Sequence, residues 1–199
     1  MKNIKRFLLL ILCFAMLFSA SIPCLAADTD AVYTPQIVSR GSRILTRNET
    51  IQLLQDKVGL SLADAVKRYN EIASDGEEII TAERWVTVDI GMEYFIEVGC
   101  LVEMECGSRC NYGEVLEKWS EAVGDGVYTW NPFYVYVTVE GIGNDELRFR
   151  TRGTIEVEIS RSSAAGFEAA GFTISGSIGT NYICRKTVSI DETLYPGMS

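Results

Sequence analysis

Any chemistry in this chain has to be done without histidine. Its 199 residues include 27 Asp and Glu, 18 Lys and Arg, six Cys and no His. That composition excludes Ser-His-Asp and Cys-His nucleophile systems, imidazole general-base catalysis and imidazole-ligated metals. Acids, thiols and aromatic rings remain. Two carboxylates alone can run glycoside hydrolysis, and Glu103/Glu105 and Glu156/Glu158 each put both members on one face of a strand. Residues two apart on a strand lie about 6.5–7 Å apart at the backbone. Glycosidase acids, however, flank the sugar from opposite sides of a cleft. A chain this rich in acids also forms such pairs freely, so solvated strand faces are expected, and no residue is assigned a catalytic role.

Aromatic residues give the second candidate. Trp119, Tyr128, Trp130, Phe133, Tyr134 and Tyr136 fall within 18 residues. Exposed on a sheet, Trp and Tyr stack on sugar rings; buried, they fill a core. Phe133, Val135, Val137 and Val139 alternate with Tyr134, Tyr136 and Thr138, so the two sets occupy opposite faces. The expected ligand-binding residues are Trp119, Tyr128, Trp130, Tyr134 and Tyr136.

The first 27 residues read as an address. Lys2, Lys5 and Arg6 precede an apolar run from Phe7 to Phe18, and Pro23-Cys-Leu-Ala-Ala27 closes the segment with small residues. This is the pattern of a secretory signal peptide. The run of about 12 residues falls short of the roughly 20 a membrane span needs. Cleavage would remove three positive and no negative side chains, leaving 15 against 27, a net charge of −12. Such a surface repels nucleic acid and anionic lipid. Export also favours disulfides among Cys100, Cys106, Cys110 and Cys184. Cys106 with Cys110 would close a local loop, and Cys100 with Cys184 would join distant segments. A four-thiolate zinc site needs two closely spaced pairs, and only Cys106 and Cys110 are close. Asp75-Gly-Glu-Glu78 and Gly124-Asp-Gly126 lack the spacing of a calcium loop and read as turns. No metal and no cofactor are expected.

The positioning elements follow from periodicity. Residues 28–45 show none and read as an extended leader. Thr46-Arg-Asn-Glu49 and Ser61-Leu-Ala-Asp64 resemble capping boxes, opening two helices over 46–76 with a stop at Gly59. The pair superficially resembles a helix-turn-helix, but export and acidity argue against DNA. Asn48-Glu49-Thr50 matches a glycosylation sequon that the first cap already explains. From Val86 to Cys106 every second residue is apolar, the mark of half-buried β-structure. A straight strand of that length would run about 70 Å in a domain roughly 40 Å across. Gly91 and Gly99 do not disturb the alternation, so one long strand curving between two sheets is expected. Residues 112–123 fit helix and strand equally. Leu147, Phe149, Thr151, Ile155, Val157 and Ile159 share one parity against Arg148, Arg150, Arg152, Glu156 and Glu158, and Tyr182, Cys184, Val188 and Ile190 mark a last strand.

The chain is thus expected to be mainly β. An antiparallel β-sandwich over 79–199 follows a short helical hairpin, stapled by disulfides. The expected function is a secreted, non-catalytic binding or interaction protein, with a glycan or extracellular protein as partner, engaged through the aromatic cluster. Neither nucleic-acid binding nor a stable membrane span is expected, and localisation is extracellular. The alternatives are a carboxylate-dependent glycoside hydrolase and a membrane-active pore-former that would insert the 86–106 segment.

Overall fold

The computed structural model describes residues 35–73, 80–106 and 110–197. Their order is β1 (Gln36–Leu45), α1 (Arg47–Val58), α2 (Leu62–Ile72), β2 (Ile80–Asp89), β3 (Phe95–Cys106), β4 (Cys110–Val123), β5 (Tyr128–Glu140), β6 (Glu146–Ser160), a 3-10 turn (Arg161–Ser163), α3 (Ala164–Ala169), β7 (Thr173–Ile178) and β8 (Asn181–Leu194). These residues are mostly strand, in two antiparallel sheets ordered β1-β2-β3-β4 and β5-β6-β8-β7. The signal-like segment 1–27 and the Asp75–Glu78 turn lie outside the described residues.

One buried cluster draws on both sheets. Val86 and Val88 of β2, Ile96, Val98, Cys100 and Val102 of β3, Phe149, Ile155 and Val157 of β6 and Cys184, Val188 and Ile190 of β8 all belong to it. A second cluster lies on the other face of the first sheet. There Leu101 and Trp119 meet Ile51, Leu53 and Leu54 of α1 and Ala65 of α2. The first sheet is therefore covered on both faces, and Leu101, an exception to the alternation, is apolar because it faces the helices.

Both helices start as their caps dictate. The Thr46 hydroxyl accepts from Glu49 N–H, and the Glu49 carboxylate accepts from Thr46 N–H at 2.8 Å. The Thr46 side-chain and backbone hydrogen bonds hold the Glu49 carboxyl below the usual range. Gly59 ends α1 at φ 77°, a conformation that favours glycine. Thr50, the last residue of the sequon, is buried, its hydroxyl donating to Thr46 O or pairing with Thr81 Oγ1 at 2.9 Å.

Two expectations are corrected, and a third point, open between helix and strand, is decided. Residues 36–45 are not a leader outside the domain but strand β1, paired with β2 from Gln36↔Asp89 to Leu45↔Thr81. The 86–106 segment is not one curved strand. It turns at Ile90–Tyr94, and β2 pairs with β3 from Val88↔Ile96 to Ile80↔Met104. Directly opposed residues of an antiparallel pair share a face, and the five-residue connection between Asp89 and Phe95 pairs even numbers with even. The alternation therefore passes through the turn unbroken. Gly91 takes φ 91° there, whereas Gly99 serves a different purpose. Gly41, Trp85, Gly99 and Trp119 form one row across β1–β4. A Cβ on Gly41 would lie 1.9 Å from the Trp85 ring, and one on Gly99 would lie 2.4 Å from that of Trp119. Each indole fills the space that a side chain on its glycine neighbour would take. Third, residues 112–123 are strand β4, whose helix-like spacing comes from two register shifts against β3, at Leu101/Val102 and Val102/Met104.

Candidate binding face

The expected aromatic site divides into an internal and a displayed part. Trp119, 6% exposed, lies beneath α1 and α2. Trp130, 8% exposed, is in the shared core, its Nε1–H donating to Ser120 Oγ at 2.8 Å. The Tyr128 hydroxyl accepts from Phe95 N–H and sits between the carbonyls of Phe95 and Val123, while its ring packs 4.6 Å from that of Tyr94. These three join elements together and are withdrawn from the contact region. Tyr134 and Tyr136 are displayed, 37% and 56% exposed, with ring centroids 5.1 Å apart. Phe133 is displayed too, at 63%. Its parity predicted the Val135 side, but a register shift between Pro132 and Tyr134 makes it the extra residue of a bulge.

Beside the tyrosines runs a row of three arginines on β6. Register places Arg152 between Tyr134 and Ser189, Arg150 between Tyr136 and Asp191, and Arg148 between Thr138 and Thr193. Arg148 donates from Nε and Nη2 to Asp191 at 2.7 and 2.8 Å, and Arg150 donates to Glu140 at 3.1 Å. The Arg148 hydrogen bonds hold the Asp191 carboxyl below its ordinary range. Among the described residues Arg152 has neither a carboxylate partner nor a hydrogen-bond acceptor, and its Nε is buried without one. From β4, the exposed Lys118 brings its Nζ to 5.7 Å from the Tyr136 ring centroid.

The carboxylate pairs sit on different sheets, Glu103/Glu105 on β3 and Glu156/Glu158 on β6. Glu156 accepts from Arg185 at 2.6 Å and Glu158 from Asn181 at 2.8 Å. Cys106 faces Cys110 in the backbone register at the β3–β4 tip. Cys100 and Cys184 are both buried in the shared core as free thiols, so the expected staple between them is not made in this structure. Burial pushes both thiols up. Among the described residues no group of three or more acids and thiols could hold a metal ion, and no helix is long and apolar enough to cross a membrane.

Two cations in the core went unnoticed in the sequence. Lys186 is buried on β8 and donates to Ile90 O at 2.7 Å and Ala170 O at 2.8 Å, tying the β2–β3 turn to the end of α3. Burial pulls its ammonium below the usual lysine range. Arg84, on β2, donates to Tyr195 O at 2.9 Å and packs 5.5 Å from the Tyr112 ring centroid, with its Nε unsatisfied. Burial pushes the Tyr112 phenol up to about 12. Both were legible as charges on an apolar parity, Ala82-Arg84-Val86 and Cys184-Lys186-Val188. Near Arg84 a pocket of about 600 Å³ opens among Cys110, Asn111, Ile142, Asp145 and Tyr195.

Scanned against models of known protein families the chain matches none, and no curated protein and no solved structure matches it. Fold and face define a protein of two antiparallel sheets, one roofed by helices and one carrying a tyrosine–arginine surface that no described element covers.

Proposed function

We propose that this chain is an exported, non-catalytic binding protein whose contact region is the outer face of β5 and β6. In this reading the two sheets form a β-sandwich with the helical pair laid on one outer face, and the opposite outer face meets the partner, a glycan. The observation that carries the reading is the display of Tyr134 and Tyr136 side by side on a sheet face that no other described element covers. Tyrosine offers a large, stiff, amphipathic surface at low entropic cost, and exposed aromatic patches mark interaction sites. Export is supported by the Lys2–Ala27 pattern. In an oxidising compartment the opposed Cys106 and Cys110 would pair at the β3–β4 tip.

The experiment is retention on a panel of immobilised glycans by the chain from residue 28 onward. Wild type is expected to be retained by at least one glycan, and a Tyr134→Ala/Tyr136→Ala double variant to elute in the void with an unchanged melting temperature. Equal retention of the two proteins, or no retention of wild type anywhere on the panel, would sink the proposal.

A further inference from the structure

The arginine row is charge-balanced along most of its length and unbalanced at one place. Arg148 and Arg150 share Glu140 and Asp191 at 2.7–3.8 Å. Arg152, next along the strand face, has no such partner, and neither has Lys118. These two cations bracket the displayed rings: Arg152 lies across the register from Tyr134, and Lys118 lies against the ring of Tyr136. The Arg152 guanidinium makes no hydrogen bond to the described residues, so its donor fork is open to a ligand. A guanidinium offers a planar fork that fits a carboxylate in bidentate fashion, whereas an ammonium acts as a point charge.

We infer that the Tyr134–Tyr136 face takes an acidic glycan, a polysaccharide whose sugars carry carboxylates, with rings on the tyrosines and carboxylates on Arg152 and Lys118. The inference rests on the glycan-binding reading above and specifies its ligand class. Two observations favour uronate-type sugars over a denser polyanion. The unpartnered cations on this face are two, one beside each displayed ring, fewer than a dense polyanion calls for. The chain as a whole carries 27 acidic against 18 basic side chains, a field that opposes nucleic acid with its closely spaced phosphates. Binding then depends on local pairing at the face rather than on long-range attraction. Raising salt from low to physiological strength is expected to weaken it modestly.

The test compares polygalacturonate, alginate and hyaluronate with the same polymers after their carboxyls are methyl-esterified, alongside a panel of neutral glycans, by isothermal titration. The proteins are wild type, Arg152→Gln, Lys118→Gln and Tyr134→Ala/Tyr136→Ala, each checked for an unchanged melting temperature. At least one acidic polymer is expected to bind wild type roughly tenfold or more tighter than its ester. Arg152→Gln weakens acid binding more than ester binding and so removes that preference, Lys118→Gln reduces it, and the tyrosine variant abolishes binding to both forms. If acid and ester bind equally well and the tyrosine variant binds neither, the acidic class is wrong and the glycan reading survives. If no acidic polymer binds but a neutral glycan does so through the tyrosines, the outcome is the same. If nothing binds, or if binding ignores all three variants, both fall.

Discussion

The outer faces of the two sheets are built from the same alternation and used in opposite ways. On the first sheet, Leu101, Leu116 and Trp119 point outward and are roofed by α1 and α2. The roof is latched at its edges: Lys57 of α1 bonds Glu97 of β3 at 3.0 Å and Glu121 of β4, and Arg68 of α2 bonds Glu117 at 2.9 Å. On the second sheet the outward residues of β5 and β6 include Tyr134, Tyr136 and three arginines, and no helix of the described residues lies on them. The first face hides Trp119 beneath the helices, and the second displays Tyr134 and Tyr136. Aromatic content alone therefore says little about binding; what separates the faces is the company each ring keeps. Beneath a helix, aliphatic neighbours complete a dry cluster. Beside arginines, the same ring area stays wet and available.

Mutations should divide along that line. The largest effect is expected at Trp119→Ala, which empties the roofed cluster and should cost about 3–5 kcal/mol in chemical denaturation; a loss below 1 kcal/mol would mean the helices do not hold that face. Gly99→Ala comes next. Its Cβ would lie 2.4 Å from the Trp119 ring, so the indole must leave its seat, at a cost of about 1–3 kcal/mol. A stabilised Gly99→Ala protein would contradict this close approach.

The pH dependence should also separate the faces. Burial of the Lys57 ammonium pulls its pKa down, but the hydrogen bonds to Glu121 and Glu97 outweigh it, and the net direction is upward from 10.5. Its contribution is present below that ordinary value and lost as pH rises through the folded-state value, so alkali should unlatch the roof. Asp191 runs the other way. Its hydrogen bond from Arg148 lowers the pKa from 3.8, so its contribution is present above that value and lost as pH falls through the folded one. Hydrogen exchange of α1 amides above pH 10 and of β8 amides below pH 4 would read the two separately; the reverse order would break the scheme. The smallest stability effect belongs to Tyr134→Ala/Tyr136→Ala, within about ±0.5 kcal/mol as for ordinary surface changes. A loss several times larger would show these rings to be structural.

How much of this was legible in the sequence depends on how parity behaves. The apolar alternation of β2, β3, β6 and β8 gave the buried sets directly. It did not reveal the turn at Ile90–Tyr94, because a five-residue connection keeps even numbers inward on both strands. It failed for residues 112–123 and for Phe133 for the opposite reason: a bulge adds one residue and reverses every face beyond it. Residues 36–45 carry no alternation because β1 is an edge strand, exposed along most of its length. The candidate site was half readable. Tyr134 and Tyr136 stood out by lying opposite Val135 and Val137, whereas the internal positions of Trp119 and Trp130 depend on what packs over them, which spacing along one strand does not encode. Arg152 was visible only as one of three arginines, since its lack of a carboxylate is a property of the neighbouring strands.

The most direct test of the central claim is a backbone-amide NMR titration of the chain from residue 28 onward with a soluble uronate oligosaccharide. Shifts concentrated on β5 and β6 around Tyr134, Tyr136 and Arg152, with α1 and α2 silent, are the result this account predicts. Shifts confined to the helices or to the pocket around Tyr195, or none at saturating ligand, would contradict it.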